Sequence, residues 1–307
     1  MKNIENVKLD LPLLKAKNIE LWIKREDKNH AIISGNKLRK LKYNLVEAKR
    51  LKKTTLLTFG GAYSNHIVAT AAAGKEQGFE TIGVIRGDEL ASNLQKTLNE
   101  NPSLQQANEL GMQFKFISRS KYREKENDSF IKDLKKEFND FYLIPEGGTN
   151  NFAVKGCEEV LTEKDAKFAY IACAIGTGGT ISGIINSSKE HQKVLGFPAL
   201  KGDFHYDLIK KHTQKENWNL ILDYHFGGFA KINEELVTFL NDFYKRTNIP
   251  LDPIYTGKMI FGLLNMIKND YFALNTKILA IHTGGLQGVR GMNTYLKQKN
   301  QNIINYE

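Results

Sequence analysis

The chain has 307 residues, 41% of them hydrophobic and 25% charged, which describes a globular protein large enough for about two domains. Its net charge of +10 comes from lysines dispersed among acidic residues, as in EKENDSFIKDLKKEFND, with no recognition-helix, zinc-finger or RNA-binding signature, which argues against a nucleic-acid partner. No apolar stretch is long enough to cross a bilayer and MKNIENVKLDLPLL lacks a secretory apolar run; Cys157 and Cys173 have no CxxC spacing, so a cytoplasmic chain with no membrane contact, disulfide or metal site is expected.

In chain order, the first strong pattern is SGNKLRKLKYN, residues 34–44. Ser34-Gly35-Asn36 reads as a turn feeding a helix, and Leu38, Leu41, Leu45 and Ala48 form that helix's apolar stripe. Lys37 stands at the turn, whereas Lys40 and Lys42 are expected as ordinary charges on the helix surface. Runs rich in β-branched or aromatic residues at 56–59, 81–85, 114–117, 141–144, 168–175 and 278–282 predict strands. The polar segment 122–140 keeps Phe130, Leu134 and Phe138 at helical spacing and predicts a surface helix; Ile232, Leu236, Leu240 and Phe243 mark another amphipathic helix. Near-continuous apolar strands alternating with helices predict an α/β fold of parallel sheets.

Gly-Gly occurs five times, and four pairs directly follow apolar runs: Gly60-Gly61, Gly147-Gly148, Gly178-Gly179 and Gly284-Gly285. Ligands of open α/β sheets bind beyond the carboxyl ends of the strands, where glycine lets backbone approach closely. AIGTGGTISGI, residues 174–184, follows the most apolar strand and opens a helix. It lacks the Gly-Lys-Ser/Thr of a Walker A loop, and Ile181 stands where a Rossmann fingerprint needs glycine. Two readings stay open for this segment: a cradle for one phosphate group, or a structural glycine turn. A phosphate cradle together with a lysine presented from a turn suggests pyridoxal phosphate, whose aldehyde reacts with a lysine amine. Burial near a helix N-terminus would lower the pKa of Lys37 and free its lone pair.

Six segments in order resemble one family. SGNKLRKLKYNLVEA is similar to GGNKxRKLEYLxxEA, FGGAYSNHIVATAAAG to GGxQSNHxRxxAAxA, and YLIPEGGTN to YVIPxGGSN. TGGTISG resembles the phosphate loop, LDPIYTGKMIFGL resembles DPVYxGKxMxGL, and ILAIHTGG resembles a strand and turn near the C-terminus. The family is that of the fold type II pyridoxal-phosphate enzymes related to 1-aminocyclopropane-1-carboxylate deaminase and D-cysteine desulfhydrase, and the likeness spans about residues 11–291.

The resemblance implies two open twisted α/β domains (tryptophan synthase β-like), with the cofactor in the cleft between them. A small domain at 41–145 and a large one built from 1–40 and 146–307 are expected. It further implies that Lys37 carries pyridoxal 5'-phosphate and that Asn65 bonds its 3-oxygen. The amides of Thr177, Gly178, Gly179 and Thr180 would hold the phosphate. Tyr255 would lie near ring and substrate, and Thr256 would face the pyridine nitrogen. Ser64, with Lys37 and Tyr255 a catalytic candidate, would face the substrate together with Asn65, His66, Phe229 and Thr283. Alternatively, Ser64 is only the N-cap of a helix over 65–78, and Tyr255 only a core aromatic.

Deaminase members carry glutamate at the Thr256 position and desulfhydrase-like members threonine, so α,β-elimination from a small cysteine- or serine-like amino acid is expected ahead of ring opening. The products would be a 2-oxo acid and ammonia, and the enzyme a homodimer. Two departures stand out: Tyr63 replaces the family's glutamine, and Phe229 replaces a tyrosine of the substrate side. They leave room for a paralogue that binds the cofactor with little turnover. A polyanion-binding protein without enzymatic activity is the other alternative.

Overall fold

A computed structural model describes residues 4–202 and 204–306. Ten strands in these residues form two sheets: β1 (Asn6–Lys8), β2 (Glu20–Lys24), β3 (Thr55–Gly61), β4 (Glu80–Arg86), β5 (Gln113–Ile117), β6 (Tyr142–Ile144), β7 (Tyr170–Ile175), β8 (Lys193–Pro198), β9 (Trp218–Leu220) and β10 (Lys277–Ile281). The four-stranded sheet runs β5-β4-β3-β6, all parallel. The six-stranded sheet runs β1-β2-β10-β7-β8-β9, parallel except for the edge pair β1–β2.

Helices cover both faces of each sheet, which is why the central strands are apolar on both sides. Ala172 and Ala280 face a core with Leu236, Leu240 and Phe243, while Cys173 and Leu279 face another with Ile181 and Ile185. The amphipathic stripe ending at Phe243 lies on the helix Glu234–Thr247, with Ile232 just outside it.

All six predicted strands are present. The expectation missed β1, β2, β8 and β9, all in the larger sheet. Charged ends and a Gly-x-Pro finish hide ELWIK and KVLGFP, and three-residue strands are too short to show a period. The single helix expected over 122–140 is also corrected. The chain forms a turn of helix at Arg119–Tyr122, breaks, and resumes at Asp128–Phe138, with Phe130 and Leu134 packed beneath the small sheet.

The helix Asn36–Arg50 lies between the two sheets. One side packs Leu41 and Ala48 with Leu56 and Ile144 of the small sheet. The other meets the helix Asn151–Cys157 so closely that a Cβ on Gly156 would come within 2.0 Å of the Arg39 carbonyl oxygen. Backbone contact at that distance admits only glycine and fixes where the first turn of Asn36–Arg50 points.

Candidate active site

The first turn of Asn36–Arg50 opens into a cleft at the carboxyl ends of β3, β6, β7 and β10. Three of the four glycine pairs singled out from the sequence reach it, through Gly147, Gly178, and Gly284 with Gly285. The turn at Gly35 carries the arrangement. Its φ is +70°, and a Cβ there would lie 1.9 Å from the Thr283 carbonyl oxygen, the atom that accepts the Asn36 amide at 3.2 Å. Glycine at this position lets the loop after β10 seat the helix start.

Lys37 is half-buried on the cleft wall, with Nζ 3.3 Å from Asn36 Oδ1. Burial, and secondarily the charge of Lys40, push its pKa down to about 7. Near neutral pH a large fraction is therefore free amine. Lys40, one turn on, also lines the cleft, and this corrects the surface position expected for it. Its ammonium is buried and donates to Gly147 O and Thr149 Oγ1 at 2.9 Å and to Thr177 Oγ1 at 3.2 Å. Burial lowers its pKa to about 8. Lys42 lies on another face of the helix and pairs with Glu159 at 2.5 Å. Among the described residues no aspartate or glutamate lines the cleft.

Beneath the lysines runs the loop after β7. Gly178 adopts φ +83° and leads into the helix Gly179–Ser187, whose first-turn amides have no partner within the helix. Thr177 and Thr149 share a hydroxyl hydrogen bond of 2.5 Å, and Thr180 Oγ1 accepts from Asn36 Nδ2 at 2.7 Å. Asn36, Lys40 and Thr149 are residues of the site that the sequence reading did not assign to it. The signal lay in the quoted SGNK and PEGGTN segments, and in the three-residue helical spacing of Lys37 and Lys40.

Asn65, Tyr255 and Thr283 line the same cleft. Among the described residues Asn65 Oδ1 is buried with no partner, and Nδ2 reaches only Gly285 O, at 3.4 Å. Tyr255 packs over Gly176, where a Cβ would meet the ring at 3.2 Å, and burial raises the pKa of its hydroxyl.

The remaining predicted residues adjoin the cleft without lining it. Ser64 precedes the helix Asn65–Gln77 at its N-cap position, yet its side chain makes no capping bond. His66 is buried, its Nε2 2.8 Å from Thr58 Oγ1. That hydroxyl donates to Ile144 O, so it accepts from His66. Burial, with Lys37 and Lys40 nearby, holds the imidazole neutral. Thr256 is fully buried and does not line the cleft; its hydroxyl donates to Asp252 Oδ2 at 2.5 Å. Asp252 also accepts the backbone N–H groups of Ile254, Tyr255 and Thr256, closing the turn that aims Tyr255. Phe229 is 46% exposed and meets the Tyr255 ring edge-on at 6.1 Å.

Two sheets, parallel but for one edge pair, flanking a cleft with a lysine and a phosphate-type loop define a fold type II enzyme that works with pyridoxal phosphate. The chain belongs to the family "Pyridoxal-phosphate dependent enzyme", whose signature matches residues 4–284, and pyridoxal 5'-phosphate is its cofactor. It is 32% identical to a putative 1-aminocyclopropane-1-carboxylate deaminase of Pyrococcus horikoshii, over 88% of this chain and 85% of that one. It is 33% identical to a bifunctional mitochondrial D-cysteine desulfhydrase/1-aminocyclopropane-1-carboxylate deaminase of Arabidopsis thaliana, over 88% and 73% respectively. A crystal structure of an ACC deaminase homologue superposes with a TM-score of 0.81 at 26% identity, covering 97% of this chain and 94% of that one. Among the described residues no helix is long and apolar enough to cross a membrane.

Proposed function

We propose that this enzyme eliminates the β-substituent of a small amino acid of the cysteine or serine type, giving a 2-oxo acid and ammonia as a D-cysteine desulfhydrase does. The observation that carries the reading is the placement of two lysines one turn apart, half-buried Lys37 on the cleft wall and buried Lys40 over the loop after β7, the latter hydrogen-bonded to Gly147 O, Thr149 and Thr177. One suits an aldehyde and the other an anion.

The cofactor fits these residues. Its phosphate would be held by the first-turn amides at Thr177–Thr180, the helix dipole and the Lys40 ammonium, with no carboxylate among the described residues that line the cleft. The incompletely bonded Asn65 amide is available to the 3-oxygen. Lys37 offers its amine to the aldehyde.

When bound, the cofactor supplies an electron sink for the pair left at the substrate's α-carbon. Lys37, about half unprotonated near pH 7, takes the α-proton. Ser64, with its hydroxyl uncommitted at the helix start, meets the substrate carboxylate. Tyr255 and Thr283 wall the cleft and limit water. Elimination over ring opening is supported by threonine, not glutamate, at position 256 and by the lack of a carboxylate among the described residues that line the cleft.

The domain division at 41–145 belongs to this reading. It is supported by the small sheet's strands all falling within 55–144, although Asn36–Arg50 begins before residue 41 and packs with them. A homodimer in the cytoplasm is proposed from family resemblance and is checked by light scattering and fractionation.

The test is a screen of D- and L-cysteine, β-chloroalanine and 1-aminocyclopropane-1-carboxylate, detecting 2-oxo acid, ammonia and sulfide. Pyruvate from the β-substituted substrates should form faster than 2-oxobutyrate from the cyclopropane; the reverse order refutes the proposal. Phe229 favours a second reading, a cofactor-binding paralogue of low turnover. In that case Phe229→Tyr raises a low basal rate, whereas in a specialised enzyme it brings no gain.

A further inference from the structure

A second cleft opens beside the first, at the carboxyl ends of β3, β4 and β5. Four cationic side chains line it, Arg86, Arg119, Arg123 and Lys125, against two carboxylates, Glu89 and Glu146. The carboxylates are already used: Arg119 pairs with Glu89 at 2.7 Å and Lys125 with Glu146 at 3.3 Å. Arg86 and Arg123 have no ion pair or side-chain hydrogen bond among the described residues. Arg86 is nevertheless held. Its guanidinium lies 5.7 Å from the centre of the Tyr122 ring, and the Tyr122 hydroxyl is fixed by a 2.8 Å bond to Glu146. This contact with the ring uses no hydrogen bond and leaves the guanidinium N–H groups available to a carboxylate or phosphate.

The two clefts share walls. The turn closed by the Ser64 amide on Gly61 O, at 3.0 Å, places Gly61 and Tyr63 in the cationic cleft and Asn65 in the other. Arg86 Nη2 lies along this wall, 3.5 Å from a Cβ built on Gly61. After β6, Glu146 faces the cationic cleft and its neighbour Gly147 the other. A substrate bound at Lys37 thus has the guanidinium groups of Arg86 and Arg123 in the cleft across a shared wall.

We propose that this cleft is a subsite for a second anionic group, a carboxylate or phosphate, borne on the far end of the amino-acid substrate or bound as a free anion. The substrate arm rests on the elimination reading above; the free-anion arm does not.

The test compares holoenzyme with the double variant Arg86→Gln/Arg123→Gln, both positions being exposed and outside the cofactor cleft. Both enantiomers of O-phosphoserine, which would give pyruvate, ammonia and phosphate, are assayed against β-chloroalanine. Inorganic phosphate is titrated calorimetrically in parallel. The expected result is a fall of about 10-fold or more in kcat/KM for O-phosphoserine, the scale of losing charge-assisted contacts, with β-chloroalanine changed less than about 2-fold. Loss of phosphate binding alone supports the site with a free anion as its ligand, and stands even if neither amino acid reacts. An equal effect on both substrates, or unchanged O-phosphoserine kinetics with unchanged phosphate binding, overturns the proposal.

Discussion

Replacing Lys40 by methionine keeps the length of the side chain and removes its charge, which separates the work of that ammonium in the empty protein from its work on the phosphate. A lysine held at about 8 instead of 10.5 costs the folded apoprotein about 3 kcal/mol at neutral pH. Its three hydrogen bonds, to Gly147, Thr149 and Thr177, return about 1 kcal/mol each. Thr149 and Thr177 retain each other after the change, so only the Gly147 carbonyl loses a partner. The terms nearly cancel, and apoprotein Tm should move by no more than about 3 °C at pH 7. The cofactor phosphate, however, loses a charge-assisted contact of about 2 kcal/mol, and affinity should fall about 30-fold.

The pH dependence supplies a second check. Below about pH 8 Lys40 is protonated in both folded and unfolded chains. Between about 8 and 10.5 the unfolded chain holds more protons, so wild-type apoprotein stability rises with pH through that window. Lys37 adds a rise of its own in both proteins, a smaller one in Lys40→Met because the Lys40 charge no longer helps to depress the Lys37 pKa, so the variant lacks the Lys40 part and some of the Lys37 part. Thermal melts of both apoproteins from pH 7 to 10, with cofactor titrations followed by absorbance, test the reasoning. Parallel pH curves together with unchanged cofactor affinity would refute it.

Three further outcomes are expected. Borohydride reduction of the holoenzyme and peptide mapping should place the pyridoxyl group on Lys37 and leave Lys40 and Lys42 unmodified. Asp252→Ala strips the acceptor from three backbone amides and the Thr256 hydroxyl, and should cost about 3 kcal/mol in denaturant unfolding; a loss below about 1 kcal/mol contradicts the buried-cap account. Lys258, buried with its ammonium on His225 O and Gly228 O at 2.9 Å, ties down the loop that carries Phe229. Lys258→Met should speed hydrogen exchange over 225–230 while leaving cofactor affinity within about 2-fold, since neither carbonyl belongs to the cleft.

By itself the sequence determined the parallel α/β character, the strands flanked by glycine pairs and the turn that presents Lys37. Each of these is a local matter: an apolar run buried on both faces, a backbone needing glycine, a helix start. The likeness to cofactor-dependent enzymes was legible for the same reason, since its motifs are short loops at strand ends. Tertiary structure decided what those loops meet. Lys40 and Lys42 look alike in the sequence, yet the loops after β6 and β7 bury one, while Glu159 pairs with the other near the surface. Thr256 could have faced the cleft or the interior; Asp252, four residues earlier, takes its hydroxyl and turns it inward. Arg86 and Arg123 read as two more dispersed cations until three strand ends bring them beside the site. The physical reason is common to all three. A side chain's charge state and partners depend on what lies across a gap from it, and here that partner comes from a different loop or strand end, fixed only when the sheets assemble.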